Sequence, residues 1–179
     1  MDEIADLVDT LGEAKARDVF IRSHSHPFLM RPPIEGVLAE QLPKPSMGFA
    51  TTEIPPSQAL QAAALGSLAV QWLVIELVKP KGTPFPERFS IGRATNSDII
   101  LLFPFVSKFH GYIKLAEGGA RLMDGGSANG FQINGKQVES RRPTMVAYGD
   151  EIGIGPLTLI FADAAVTFDR LLPVATDAA

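Results

Sequence analysis

Three short stretches carry the side chains with chemistry to offer: Gly92-Arg93, Ser107-Lys108-Phe109-His110 and Asp124-Gly-Gly-Ser127-Ala128-Asn129-Gly130. Together they supply a guanidinium fork, a hydroxyl, an ammonium, a carboxamide and backbone N–H groups freed by glycine. This set suits an oxyanion with several acceptor oxygens. Arg can grip two phosphate oxygens in its plane, Ser can donate to a third, Lys adds a point charge, and Asn can clamp a peptide backbone through both its carbonyl and its amine. No group among them is a strong base or an activated nucleophile. The set therefore fits holding a phosphate better than cleaving one.

Two catalytic patterns come close and fail. Gly130 to Lys136 has the glycine and lysine spacing of a nucleotide-binding P-loop, but Gln137 stands where Ser or Thr must hold magnesium. The surrounding residues also read as strand and hairpin, not strand and helix. Gly125-Gly-Ser127-Ala-Asn129 departs from a nucleophile elbow at Asn129. His24 and His26 alternate in a proline-rich segment without further ligands, so no metal site is expected. No cofactor is implied.

The elements that must position these residues follow from composition and periodicity. A chain of 179 residues with 46% hydrophobic and 20% charged residues can bury one core of ordinary size. The net charge of −4 argues against nucleic-acid binding by counterion release. Zero cysteines removes disulfides and thiolate chemistry. The acidic start Met1-Asp2-Glu3 lacks the features of a secretory signal, and a cytoplasmic location is expected. The charge-free run from Ile54 to Ile75 is interrupted by prolines, glutamines and Gly66, so no membrane span is expected.

Ile4, Leu7, Val8 and Leu11 recur at helical spacing, predicting an amphipathic helix within residues 1–26. Seven of the 14 prolines fall between Pro27 and Pro56, predicting an extended linker over 27–56. Ser57 then caps a short helix within 57–70. From 71 to 172 short β-branched and aromatic runs alternate with turn residues, predicting an all-β sandwich of about ten to eleven strands. The last of these strands is placed at Val166–Leu171, and a flexible tail follows over 173–179. Residues 2–68 contain nine acidic and five basic residues and the remainder eleven of each, so the sandwich is neutral.

The stretch from about Trp72 to Leu172 resembles the forkhead-associated (FHA) domain family. The resemblance rests on several linked motifs in order: Ile91-Gly92-Arg93, Asn96-Ser97-Asp98-Ile99, Val106-Ser107-Lys108-Phe109-His110, Asp124 to Gly130, Ile133-Asn134-Gly135, and Tyr148-Gly149-Asp150-Glu151-Ile152. It implies a β-sandwich that is not an enzyme and that binds phosphothreonine peptides through loops at one end. Carried over, Arg93 and Ser107 are expected on the phosphate, Lys108 as a softer cationic contact, and Asn129 as the clamp on the peptide backbone. Phe105 is expected to set an apolar preference at the third residue after phosphothreonine. Gly92, His110 and Gly130 are expected to be structural.

Two positions depart from the family pattern. Ala128 stands where many members have Thr or Ser, so only its backbone N–H is expected to contribute. Phe131 replaces the usual Thr and is expected to be a packing change. The expected partners are phosphothreonine proteins in Ser/Thr-kinase signalling, including a kinase or its substrates. Thr51 or Thr52 in the linker offers an intramolecular ligand if a kinase modifies it. The alternative is a phosphate-independent interaction or assembly module with the same fold.

Overall fold

The computed structural model describes residues 2–33 and 72–177. Helices α1 (Asp2–Leu11) and α2 (Glu13–Ser23) are followed by strand β1 (Phe28–Arg31). Then come β2 (Leu73–Glu76), β3 (Arg88–Gly92), β4 (Ile99–Ile100), β5 (Gly111–Ala116) and β6 (Gly119–Asp124). The chain continues through β7 (Gln132–Ile133), β8 (Lys136–Gln137), β9 (Thr144–Val146), β10 (Glu151–Ile154) and β11 (Leu157–Ala162) to helix α3 (Ala164–Asp177). The strands form a six-stranded sheet, β2-β1-β11-β10-β7-β8, and a five-stranded sheet, β4-β3-β5-β6-β9.

Alternation along the strands builds the core between the sheets. Phe89 and Ile91 point inward from β3 while Arg88 and Ser90 do not. Ile113, Leu122, Ile152, Ile154, Leu159 and Phe161 complete a fully buried set. The Asn134-Gly135 pair closes the β7–β8 hairpin with φ of 50° and 77°, the two positive angles that a type I′ turn requires. Strand β11 is buried on both faces. Its Leu157, Leu159 and Phe161 face the sandwich core, and Ile160 and Ala162 face a second cluster with Ile4, Ala16, Phe20, Phe168 and Leu171 of the three helices.

This second cluster corrects the sequence reading at three places. The region expected to be one amphipathic helix is two, broken at Gly12 and packed on each other and on α3. Phe28–Arg31, assigned to the proline-rich linker, is a strand between β2 and β11 in which all four residues are buried. The sandwich therefore draws on residues within the stretch read as linker. Pro27 and Pro32 bracket the strand and leave its ladder intact.

Val166–Leu171, expected as a strand, is helical, and the helix runs through Pro173 into the expected tail. Asp163 caps its start by accepting the Val166 N–H at 2.8 Å, and Ala164, Phe168 and Leu171 recur on the buried face. Burial of that face outweighs the β-branched local pattern. Arg17 and Asp169 join α2 to α3 through two hydrogen bonds of 2.7 and 2.9 Å. The short helix expected within 57–70, most of the linker, and Thr51 and Thr52 lie outside the described residues.

Pairing also fixes where the intervening segment is attached. Arg31 lies opposite Leu73, so residues 32–72 leave and rejoin the sheet at neighbouring positions. Met30 opposite Ile160, Ile154 opposite Leu157, and Gly153 opposite Gln132 put that attachment at the end of the sheet where the β10–β11 turn lies and β7 begins. Asn129 and Gly130 lie at this end, separated from β7 by Phe131 alone.

A chain lacking residues 1–33 loses the strand between β2 and β11 together with the helical cover. It is expected to melt roughly 10 °C or more below the full chain. Equal midpoints in thermal denaturation would contradict this packing role.

Candidate functional site

The site begins with a close approach of two backbones. A β-carbon on Gly92 would stand 2.2 Å from the Lys108 carbonyl oxygen and 2.9 Å from Ser97 Oγ, so only glycine admits the loop that precedes β5. That approach permits a ladder between the two segments. The Arg93 N–H donates to the Ser107 carbonyl at 2.9 Å, the Ala94 N–H to Lys108 at 3.0 Å, and the His110 N–H to Ile91 at 2.9 Å. The Arg93 side chain donates from Nε to the Val106 carbonyl at 3.2 Å, and among the described residues neither of its Nη nitrogens has a partner. Lys108 is exposed beside it.

His110 joins this loop to the next one. Its ring is fully buried, and Nδ1 accepts the Ser107 N–H at 3.1 Å. The proton is therefore on Nε2, which donates to the Gly130 carbonyl at 3.0 Å. The edge of the ring meets Phe131, also fully buried, at a centroid distance of 4.7 Å. Phe131 is a packing residue, as its substitution for Thr led us to expect.

The loop from β6 to β7 is organised by Asp124. Its side chain is buried. One carboxylate oxygen accepts the Gly126 N–H at 2.9 Å, the Ser127 N–H at 3.2 Å and the Ser140 hydroxyl at 2.7 Å, and the other accepts the Ser127 hydroxyl at 2.5 Å. The Ser127 oxygen in turn accepts the Gly130 N–H at 2.9 Å. Burial pushes the Asp124 pKa up, but the Ser127 and Ser140 hydroxyls and the two backbone donors outweigh it and hold the group below its ordinary value.

Two further bonds dock this loop onto the one before β5. The Ala128 N–H donates to Ser107 Oγ at 3.1 Å, and Asn129 Nδ2 donates to the Phe105 carbonyl at 2.7 Å. Phe105 itself stacks on Phe103 at 5.1 Å and lies over Gly155 of the β10–β11 turn. The structure thus gathers Arg93, Ser107, Lys108, Asn129 and Phe105 at one end of the sandwich, with Gly92, His110 and Gly130 beneath them. One expectation is corrected. The Ala128 N–H, assigned to the ligand, is spent on Ser107 because the docked loops bring that hydroxyl oxygen within reach. The Ser107 hydroxyl keeps its own proton to donate, and Asn129 keeps Oδ1 as an acceptor.

Sequence reading missed the Ser140 partner of Asp124. Ser140 arrives from the turn between β8 and β9, and spacing in the sequence carries no signal of that contact. His24 and His26 also have separate partners. His24 stacks on Phe20 at 4.2 Å, and His26 meets Glu76 at 3.1 Å.

Because its folded pKa is depressed, Asp124 contributes stability that is present above the ordinary carboxylate pKa and lost as pH falls through the lower folded value. Asp124→Asn is expected to cost about 2–3 kcal/mol at neutral pH, from unmatched buried donors. The gap to the wild type should close on acidification below about pH 4. Denaturant titrations over a pH series check this, and a gap that stays constant with pH would contradict it.

Residues 89–155 match the family model of the FHA domain. The chain is 29% identical over 119 residues to an ABC transporter ATP-binding/permease protein of Mycobacterium tuberculosis, covering 65% of this chain and 13% of that protein. It is 39% identical over 72 residues to the glycogen accumulation regulator GarA of Mycolicibacterium smegmatis, covering 40% of this chain and 44% of that one. It thus spans less than half the length of either relative. Among solved structures, the N-terminal FHA domain of S. cerevisiae Rad53p in complex with a phosphothreonine peptide is 26% identical with a TM-score of 0.44, covering 55% of this chain and 90% of that one. Among the described residues no helix is long and apolar enough to cross a membrane. The family match runs from β3 into the β10–β11 turn and takes in every loop of the site, so the part of the β-sandwich that carries the site is the part that matches the forkhead-associated domain.

Proposed function

We propose that the chain is a phosphothreonine-dependent interaction module in Ser/Thr-kinase signalling, acting by binding and not as an enzyme. The observation that carries this reading is the state of the donors. Arg93 Nη and the Ser107 proton are unspent on paired loops whose own backbone groups are largely satisfied, and Lys108 is exposed on the same loop as Ser107, leaving them for an external oxyanion. Arg93 grips the phosphate, Ser107 donates to it, Lys108 adds charge, and Asn129 meets the peptide backbone through Oδ1. The partners are phosphothreonine proteins, among them kinase substrates or a kinase, and the setting is cytoplasmic.

A titration of a phosphothreonine peptide tests this. Arg93→Ala removes a charged partner of the phosphate and is expected to weaken binding at least about 30-fold. Equal affinities would overturn the reading. Thr51 or Thr52 is the proposed intramolecular ligand, since residues 32–72 are tethered at the same end as the site. The same titration after kinase treatment should then show weakened external binding.

Phe105, held on Phe103 beside the β10–β11 turn, is proposed to favour an apolar residue three positions after the phosphothreonine. An oriented peptide library should select apolar residues there; selection of Asp would contradict the assignment. The second reading, a phosphate-independent interaction module, draws on Ala128, which brings no hydroxyl and whose N–H is already used. Binding to partners that survives phosphatase treatment would favour it.

A further inference from the structure

The turn between β8 and β9 brings a second cation to the loop that follows β6. Arg141 has a left-handed backbone (φ 62°), uncommon outside glycine and asparagine. It is held there because its N–H donates to the Asp124 carbonyl at 3.0 Å while the preceding Ser140 hydroxyl donates to the Asp124 carboxylate. Its guanidinium lies along Gly126: Nη2, Nε and Cζ stand 3.4, 3.6 and 3.9 Å from the place a β-carbon would occupy. Against the adjacent glycine, the Phe109 ring stands only 2.5 Å from the place of a Gly125 β-carbon. Glycine at 125 thus admits the Phe109 ring, and the Arg141 guanidinium lies in ordinary van der Waals range of Gly126.

The surrounding charges leave this cation uncompensated. Arg142 pairs with Glu139 at 2.9 Å, and the Asp124 carboxylate is occupied by its four donors. Among the described residues no acceptor bonds the Arg141 guanidinium. Gly126 is two residues from Ala128, whose N–H rests on Ser107 Oγ. At chain reach of about 3.6 Å per residue, the guanidinium is within roughly 14 Å of Ser107 Oγ in the phosphate pocket. An extended peptide covers that distance in at most about four residues.

We infer that Arg141 is a specificity-determining residue that reads a second anionic group on the ligand, a carboxylate or a second phosphate within about four residues of the phosphothreonine. This rests on the phosphothreonine reading and adds to it a preference for doubly anionic peptides. A planar guanidinium with unmatched N–H groups favours an oxyanion over other chemistry, and its exposure makes the contribution modest and sensitive to salt.

The test is a set of phosphothreonine peptides of one neutral sequence, with a single Glu moved through positions −4 to +4, titrated against wild type, Arg141→Asn and Arg93→Ala. Asn tolerates the left-handed backbone, so the fold is retained, and a matching thermal midpoint verifies that. One or two Glu positions are expected to tighten wild-type binding about 3- to 5-fold, and phosphoserine at the same position more strongly. Arg141→Asn should abolish both gains and leave the neutral phosphopeptide unaffected. A Glu scan that is flat, or a gain that survives in Arg141→Asn, overturns the inference while Arg93-dependent binding of the neutral peptide stands. Failure of the neutral phosphopeptide to bind wild type, or indifference to Arg93→Ala, overturns the phosphothreonine reading and this inference with it.

Discussion

A carboxylate buried without a cation holds the binding end of this domain together. Asp124 is compensated by two backbone N–H groups and two hydroxyls, so its charge fixes the path of the loop that follows β6 and tethers the turn after β8 to it. Donors to an ionised group form stronger bonds than neutral pairs, and unmatched ones are costly in a buried setting. Four groups on two segments are thereby committed to one geometry. The proposed ligand groups sit one step outward: Ser107 meets the loop through Ala128, and Asn129 reaches back to Phe105.

The second support is His110, which ties the loop before β5 to Gly130 through the two nitrogens of one neutral ring. The Asp124 and His110 networks together explain how short loops can hold several donors unspent. Their backbones are satisfied internally, so rigidity does not depend on ligand, and binding avoids much of the ordering cost that a mobile loop would carry. Further away, β1 completes the six-stranded sheet and the three helices cover its outer face. Residues before the linker therefore belong to the same cooperative unit as β11, whose opposite face packs the core.

Much of this was legible in the sequence, for a physical reason. Strands β3, β5, β10 and β11 fall within the stretch read as short strands, because half-buried strands alternate or run apolar between clear turn residues. The candidate site residues were legible because they cluster at strand ends next to glycines. What was hidden depends on packing. Phe28–Arg31 is buried along its whole length and shows no alternation, and the prolines around it mimic a linker. Val166–Leu171 is locally strand-like and becomes helical once Phe168 and Leu171 find the second cluster. Ser140 and Arg141 join the site through contacts across the sheet that no short motif encodes.

The central claim is that the loops around Arg93, Ser107 and Asn129 receive a phosphorylated threonine. Amide chemical-shift mapping of the full chain with one peptide, phosphorylated and unphosphorylated, tests it most directly. The account predicts saturable shifts at Arg93, Ser107, Lys108 and the 126–130 loop with the phosphopeptide, none with its unphosphorylated twin, and none in the helices. Shifts centred on the helices, or the same shifts with both peptides, would contradict it.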